Sequence, residues 1–164
     1  MSLLDKEPVQ RVEKILKEFN QSLEIIILKS SAKTAEQAAE ALSCSVGAIV
    51  KSLLFKNENG FTLCLVSGDK RCSLKNLKKI KNQKDISMAS PEEVKAQTGY
   101  TIGGVSPVGH LKIMDIYIDK SLERFKDLFA AAGHPNCVFK INLKDLKKLT
   151  NGKFEEITEW KNLN

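Results

Sequence analysis

The chain has 164 residues, 42% of them hydrophobic and 28% charged, which is enough for one soluble domain with a sizeable core. No stretch approaches the roughly 18 apolar residues of a membrane span. The opening MSLLDKEPVQ has early acids and no apolar run, so it is not a secretory signal. The net charge of +6 is unevenly placed: residues 70–84, KRCSLKNLKKIKNQK, hold seven basic residues and no acid, and KDLKK follows at 144–148. Such a run is either a solvated face or a surface for a polyanion. Cys44, Cys64, Cys72 and Cys137 form no CxxC pair and read as reduced thiols, as expected in the cytoplasm.

Residues 8–19, PVQRVEKILKEF, place Val9, Val12, Leu16 and Phe19 at helical spacing. LEIIILK (23–29) reads as a buried strand. Thr34 and Gln37 form a capping-box pattern that opens an alanine-rich helix through Leu42. VKSLLFK (50–56) and FTLCLV (61–66) flank the polar turn NENG, a hairpin with a loop longer than two residues. Ser73 caps a basic amphipathic helix carrying Leu74, Leu77 and Ile80. Ser90-Pro91-Glu92-Glu93 starts another helix, which Gly99 should end. LKIMDIYID (111–119), FAAAG (129–133) and CVFKIN (137–142) are strand candidates, LKDLKKLT (143–150) a helix and FEEIT (154–158) a last strand. Interleaved elements joined partly by tight turns predict an α+β fold: one domain over residues 1–164, a mixed curved sheet packed with helices.

The stretch TIGGVSPVGH (101–110) carries three glycines, Ser106 locked before Pro107, and His110. Glycine freedom and a fixed proline can build a rigid loop whose amides hold an anion or a carbonyl oxygen; the same residues also make an ordinary tight connection. Ser106 does not sit in a nucleophile elbow, because Val108 stands where G-x-S-x-G needs glycine. His134 and Cys137 stand alone as a weak metal pair, so no metal or cofactor is expected. Alternation places Ile49, Lys51, Leu53 and Phe55 on one strand face. A lysine there either snorkels at an edge or serves as a cation in a pocket.

The pieces TAEQAAEAL, GAIVKSLLF, LVSGDKR, ASPEEVKAQTGYTIGGVSPVGH and AAGHPNCVFKINLKDLKKLT occur in this order. In them the chain resembles the YbaK/ProX family, the free-standing relatives of the editing domain inserted in bacterial prolyl-tRNA synthetases, over roughly residues 23–152. The resemblance implies hydrolysis of the ester joining a wrong, small amino acid to tRNAPro or a related tRNA, with a synthetase as a further partner. It maps the family's active-site lysine to Lys51 and its glycine loop to Gly103, Gly104, Ser106 and Pro107, closed by Gly109 and His110. GDKR supplies Gly68 and Asp69, and the GHP turn Gly133, His134 and Pro135. Thr34 and Leu53 join the expected pocket. In that reading the amides of Gly103 and Gly104 hold the ester carbonyl oxygen, Lys51 stabilises charge, and Ser106 hydrogen-bonds in the pocket. Lys70, Arg71, Lys75, Lys78 and Lys79 meet tRNA phosphates. A module that binds charged tRNA without cleaving it, and an esterase of small molecules, are the other two readings.

Overall fold

The computed structural model describes residues 2–30 and 32–161. Helix α1 (Glu7–Phe19) has Pro8 in its first turn and buries Val9, Val12 and Leu16 completely, while Phe19 is left exposed. Strand β1 (Ile25–Ile27) is shorter than LEIIILK suggested and is not buried: Ile26 and Ile27 are 36% and 41% exposed. It lies at a sheet edge, where a β-branched run needs cover on one side only. Helix α2 (Ala35–Leu42) starts with the expected box, in which the Thr34 hydroxyl accepts from the Gln37 amide at 3.1 Å.

Strands β2 (Ile49–Asn57) and β3 (Gly60–Ser67) form the hairpin. Asn57 pairs with Gly60, so the loop is only Glu58-Asn59 and not the longer turn expected. Gly60, with φ +148°, absorbs the turn. Residues 70–84 then divide. Lys70–Cys72 is strand β4, and helix α3 (Leu74–Lys81) follows with its Ser73 cap, so the basic run is not one helix. Strand β5 (Ser87–Met88) leads to helix α4 (Pro91–Thr98), capped by Ser90 and ended by Gly99 at φ +81°. Strand β6 covers only Asp115–Asp119 of LKIMDIYID. Strands β7 (Leu128–His134) and β8 (Cys137–Ile141), helix α5 (Leu143–Thr150), strand β9 (Lys153–Glu155) and strand β10 (Thr158–Trp160) complete the chain. The expected FEEIT strand is split between the last two, because Ile157 turns into the core between them.

The main sheet runs β1-β8-β7-β2-β3-β6-β9, with β4 and β10 as a separate pair. It is mixed: β2/β3, β7/β8 and β1/β8 are antiparallel, whereas β2/β7, β3/β6 and β6/β9 are parallel. The alternation of β2 and β3 serves two cores. Val50, Leu54, Leu63 and Leu65 point to the large core under α1. On the other face Phe55, Cys64 and Val66 pack on Leu77 of α3, and Ile49 packs with Ala38 and Ala39 of α2. Lys51 falls between those two smaller clusters.

The outer edge of β2 is divided. Ile49 and Val50 pair with β7, Phe55 and Lys56 pair with β5, and the Leu54 carbonyl accepts from Ala89. Hairpin register directs the even-numbered backbone groups of β2 away from β3. The N–H and C=O of Ser52 therefore face a gap in the ladder.

Gly133, at φ +89°, brings β7 against the start of α1; a Cβ there would meet the Pro8 carbonyl at 2.7 Å. Gly133→Ala should lower the unfolding free energy by more than about 1 kcal/mol in urea titrations, since both strain and clash arise. An unchanged midpoint would show that α1 shifts freely.

Candidate active site

The gap in β2 opens into a cleft of about 400 Å³, walled by Ile49, Leu53, Phe129, Ala131 and Val138 of the sheet and Ala35 and Ala38 of α2. Met88, Ile102, Gly103, Val105 and Pro135 also line it, and Thr34, Glu36, Lys51 and Lys161 bring polar groups. Apolar walls with a few convergent polar groups are the usual character of a small-molecule site.

Lys51 is half-buried, and its Nζ donates to the carbonyl of Lys70 at 2.6 Å. Burial pushes its ammonium below the usual lysine range and nearby Lys161 pushes the same way, while Glu36 and Asp69 oppose. Lys161 in turn donates to Glu36 at 3.0 Å, which holds that carboxyl below the usual range. Lys51 thus lines the cleft with its amine tied to the neighbouring strand.

Gly68 and Asp69 work behind Lys51 and do not line the cleft. A Cβ on Gly68 would collide with the Val46 carbonyl. Asp69 is gripped by Arg124 at 2.8 and 2.9 Å, which depresses its pKa and occupies its oxygens. The pair fixes the turn that presents the Lys70 carbonyl to Lys51.

The glycine loop divides its labour. Gly103 (φ +93°) faces the cleft beside Pro135. Gly104 is buried, and its amide already donates to Thr101 at 3.0 Å, so it is not the second free amide expected. Its place requires glycine because a Cβ would lie 3.0 Å from the His134 backbone. Ser106 is fully buried outside the cleft, its Oγ accepting from the Val108 amide at 3.4 Å. The expected pocket hydroxyl is therefore absent from that position. Pro107, Gly109 and His110 also turn inward, because Arg11 Nε and the Tyr100 hydroxyl bind the Gly109 carbonyl at 2.8 and 3.2 Å. Gly133 and His134 likewise stand outside the wall, and only Pro135 of that turn reaches it. His134 Nδ1 accepts from the Asn136 amide at 3.0 Å while Cys137 is buried in the large core, so the two make no metal pair. Among the described residues no group of three or more His, Cys, Asp or Glu could hold a metal, and no helix is long and apolar enough to cross a membrane.

Sequence reading missed Ser52. It lines the cleft, and its buried Oγ lacks a hydrogen-bond partner. Only the interrupted ladder reveals it; a serine beside a lysine carries no motif.

Residues 29–149 match the model of the aminoacyl-tRNA editing domain. The chain belongs to this family. As a member it is an aminoacyl-tRNA deacylase, a hydrolase acting on the ester between amino acid and tRNA. It is 34% identical to the uncharacterised protein YwhH of Bacillus subtilis over 83% of this chain and 87% of that one. It is 31% identical to an Enterococcus faecalis protein named "Putative Cys-tRNA(Pro)/Cys-tRNA(Cys) deacylase EbsC", over 76% and 77%. Within the far longer proline–tRNA ligase of Thermosipho africanus, 81 residues match at 40% identity, which is 49% of this chain and 14% of that one. A crystal structure described as a "putative trans-editing enzyme for prolyl tRNA synthetase" superposes with a TM-score of 0.89 at 36% identity, over 94% of this chain and 98% of the other.

His110 offers a pH test of the loop's inner half. Its Nε2 lies 2.7 Å from the Ser106 carbonyl, so the proton is assigned to Nε2, and burial holds the ring below the usual imidazole range. The unfolded chain takes up a proton near pH 6.5, while the folded chain resists it. Stability is therefore present above about that pH and is lost as pH falls through the lower folded value. Melting temperatures should fall between pH 7.5 and 5.5, and less steeply in His110→Gln. Identical slopes would assign the loss to other groups, His134 first among them.

Proposed function

We propose that the chain edits in trans, in the cytoplasm, removing a small non-cognate amino acid from tRNAPro or a related tRNA, alone or beside a synthetase. The carrying observation is Lys51, a half-buried ammonium held in an apolar cleft. The aminoacyl group enters between the α2 wall and Pro135, with the terminal ribose at the mouth. Alanines at positions 35, 38 and 131 leave room for a small side chain, and Phe129, Val138 and Ile49 limit its size. Such a wall rejects larger groups well and near-isosteres poorly. The kinship to prolyl-tRNA synthetases and to a protein named for Cys-tRNA(Pro) supports this substrate class.

The chemistry needs no enzyme nucleophile. Ser106 is sealed off and Asp69 is neutralised by Arg124. The ester is already activated, so a held water attacks the carbonyl carbon, and the vicinal ribose hydroxyl passes on its proton. The C–O bond to the tRNA breaks and the ribose oxygen takes a proton. Lys51 stabilises the negative charge that grows on the carbonyl oxygen, in a site where few waters compete. The backbone of Gly103 lies beside that oxygen's place. Ser52, through its edge carbonyl, accepts from the substrate's α-amino group. The lysines of α3 meet acceptor-stem phosphates.

The test is a deacylation time course on tRNAs charged with alanine, serine, threonine, cysteine or proline. Fast release of one non-cognate amino acid, with Pro-tRNAPro spared, is expected. Lys51→Met, which keeps the apolar stem, should lower kcat by about 10²- to 10³-fold. No release across the panel, alongside measurable tRNA binding, would overturn the reading. Neutralising Lys75, Lys78 and Lys79 together should weaken tRNA binding and flatten its dependence on salt by about three phosphate contacts; an unchanged slope would leave α3 as a solvated face.

A further inference from the structure

Trp160 is the only tryptophan in the chain and is 61% exposed. It lies beyond the 29–149 region that matches the family model. Strand pairing sets it opposite Lys70, whose Nζ sits 4.1 Å from the ring centroid, and the Arg124 guanidinium lies 5.2 Å away. The neighbouring pair joins Arg71 to Glu159 at 2.8 Å. This corner adjoins the cleft by two routes. The carbonyl of Lys70 holds Lys51, and Lys161, next to Trp160, forms part of the cleft wall.

We propose that Trp160 is a stacking platform for an unpaired base at the 3′ end of the tRNA. This deepens the reading of the cleft as an editing site and rests on it. A large aromatic side chain exposed to water costs solvation, and cations already lie against its ring. Aromatic rings interleaved with cations are what single-stranded nucleic acids use: bases stack while Lys and Arg follow the phosphates. Lys51, Lys70, Arg71, Arg124 and Lys161 are five cations against the three neighbouring carboxylates Asp69, Glu159 and Glu36, so an anionic strand is favoured. The acceptor end is unpaired where it carries the amino acid. A base held on Trp160 would fix the terminal nucleotide while its ester reaches Lys51.

Because the chain has one tryptophan, its own fluorescence reads the contact. Titration with a short single-stranded RNA ending in CCA should quench that emission, less strongly as salt is raised. Steady-state deacylation should show KM raised about tenfold in Trp160→Ala with kcat changed less than twofold, and Trp160→Phe within about threefold of the parent. Absent quenching at saturating RNA, or an unchanged KM in Trp160→Ala, would overturn the platform. A loss of kcat that Phe does not restore would also overturn it, by making Trp160 structural. Quenching in a parent protein that releases no amino acid would support the platform while overturning the editing reading.

Discussion

The cleft exists because one strand edge is shared by two partners whose short pairings do not meet. β2 gives two residues to β7 and two to β5, and the backbone between them faces a gap. An unpaired edge is costly where apolar walls exclude water, and sheets normally close it. Here the opening is held apart from both ends: Ala89 fastens to Leu54 on one side, and the parallel pairing at Val50 ends on the other. Ser52 is left with an Oγ that has no hydrogen-bond partner, and the space beside it is the cleft.

Lys51 needs this void and a scaffold to keep its charge there. Moving an ammonium out of water is unfavourable unless dipoles replace its hydration. The Lys70 carbonyl is one such dipole, and it is held by a turn that Asp69 and Arg124 lock together. Gly68 lets that turn press on the Val46 carbonyl. In the proposed reaction, a charge placed in advance with its support already built requires little reorganisation. The GDKR segment therefore positions the Lys51 amine.

The glycines in the other two motifs do a similar job. Gly104 and Gly133 let the loop and β7 approach each other and α1 at distances a side chain would forbid. That packing carries Gly103 and Pro135 to the mouth of the cleft. Tyr100, Arg11 and His110 anchor the far end of the same loop in the interior. The loop thus has rigid support on one side and an apolar surface on the other.

Local signals in the sequence were enough for the helices. Thr34, Ser73 and Ser90 cap where short polar side chains before apolar periodicity say they should, and Gly99 ends its helix in the left-handed region only glycine enters cheaply. The alternation of β2 put Lys51 on an otherwise apolar face, and the ordered motifs carried the family. What the tertiary structure alone decided is which motif residues face the cleft. Ser106, Gly109, His110 and His134 look functional in one dimension and serve packing in three, since their direction depends on partners far along the chain such as Arg11. Ser52 and Trp160 are the reverse. Neither has a motif, because the gap in a ladder and the pairing of β10 with β4 arise from strands that meet only on folding.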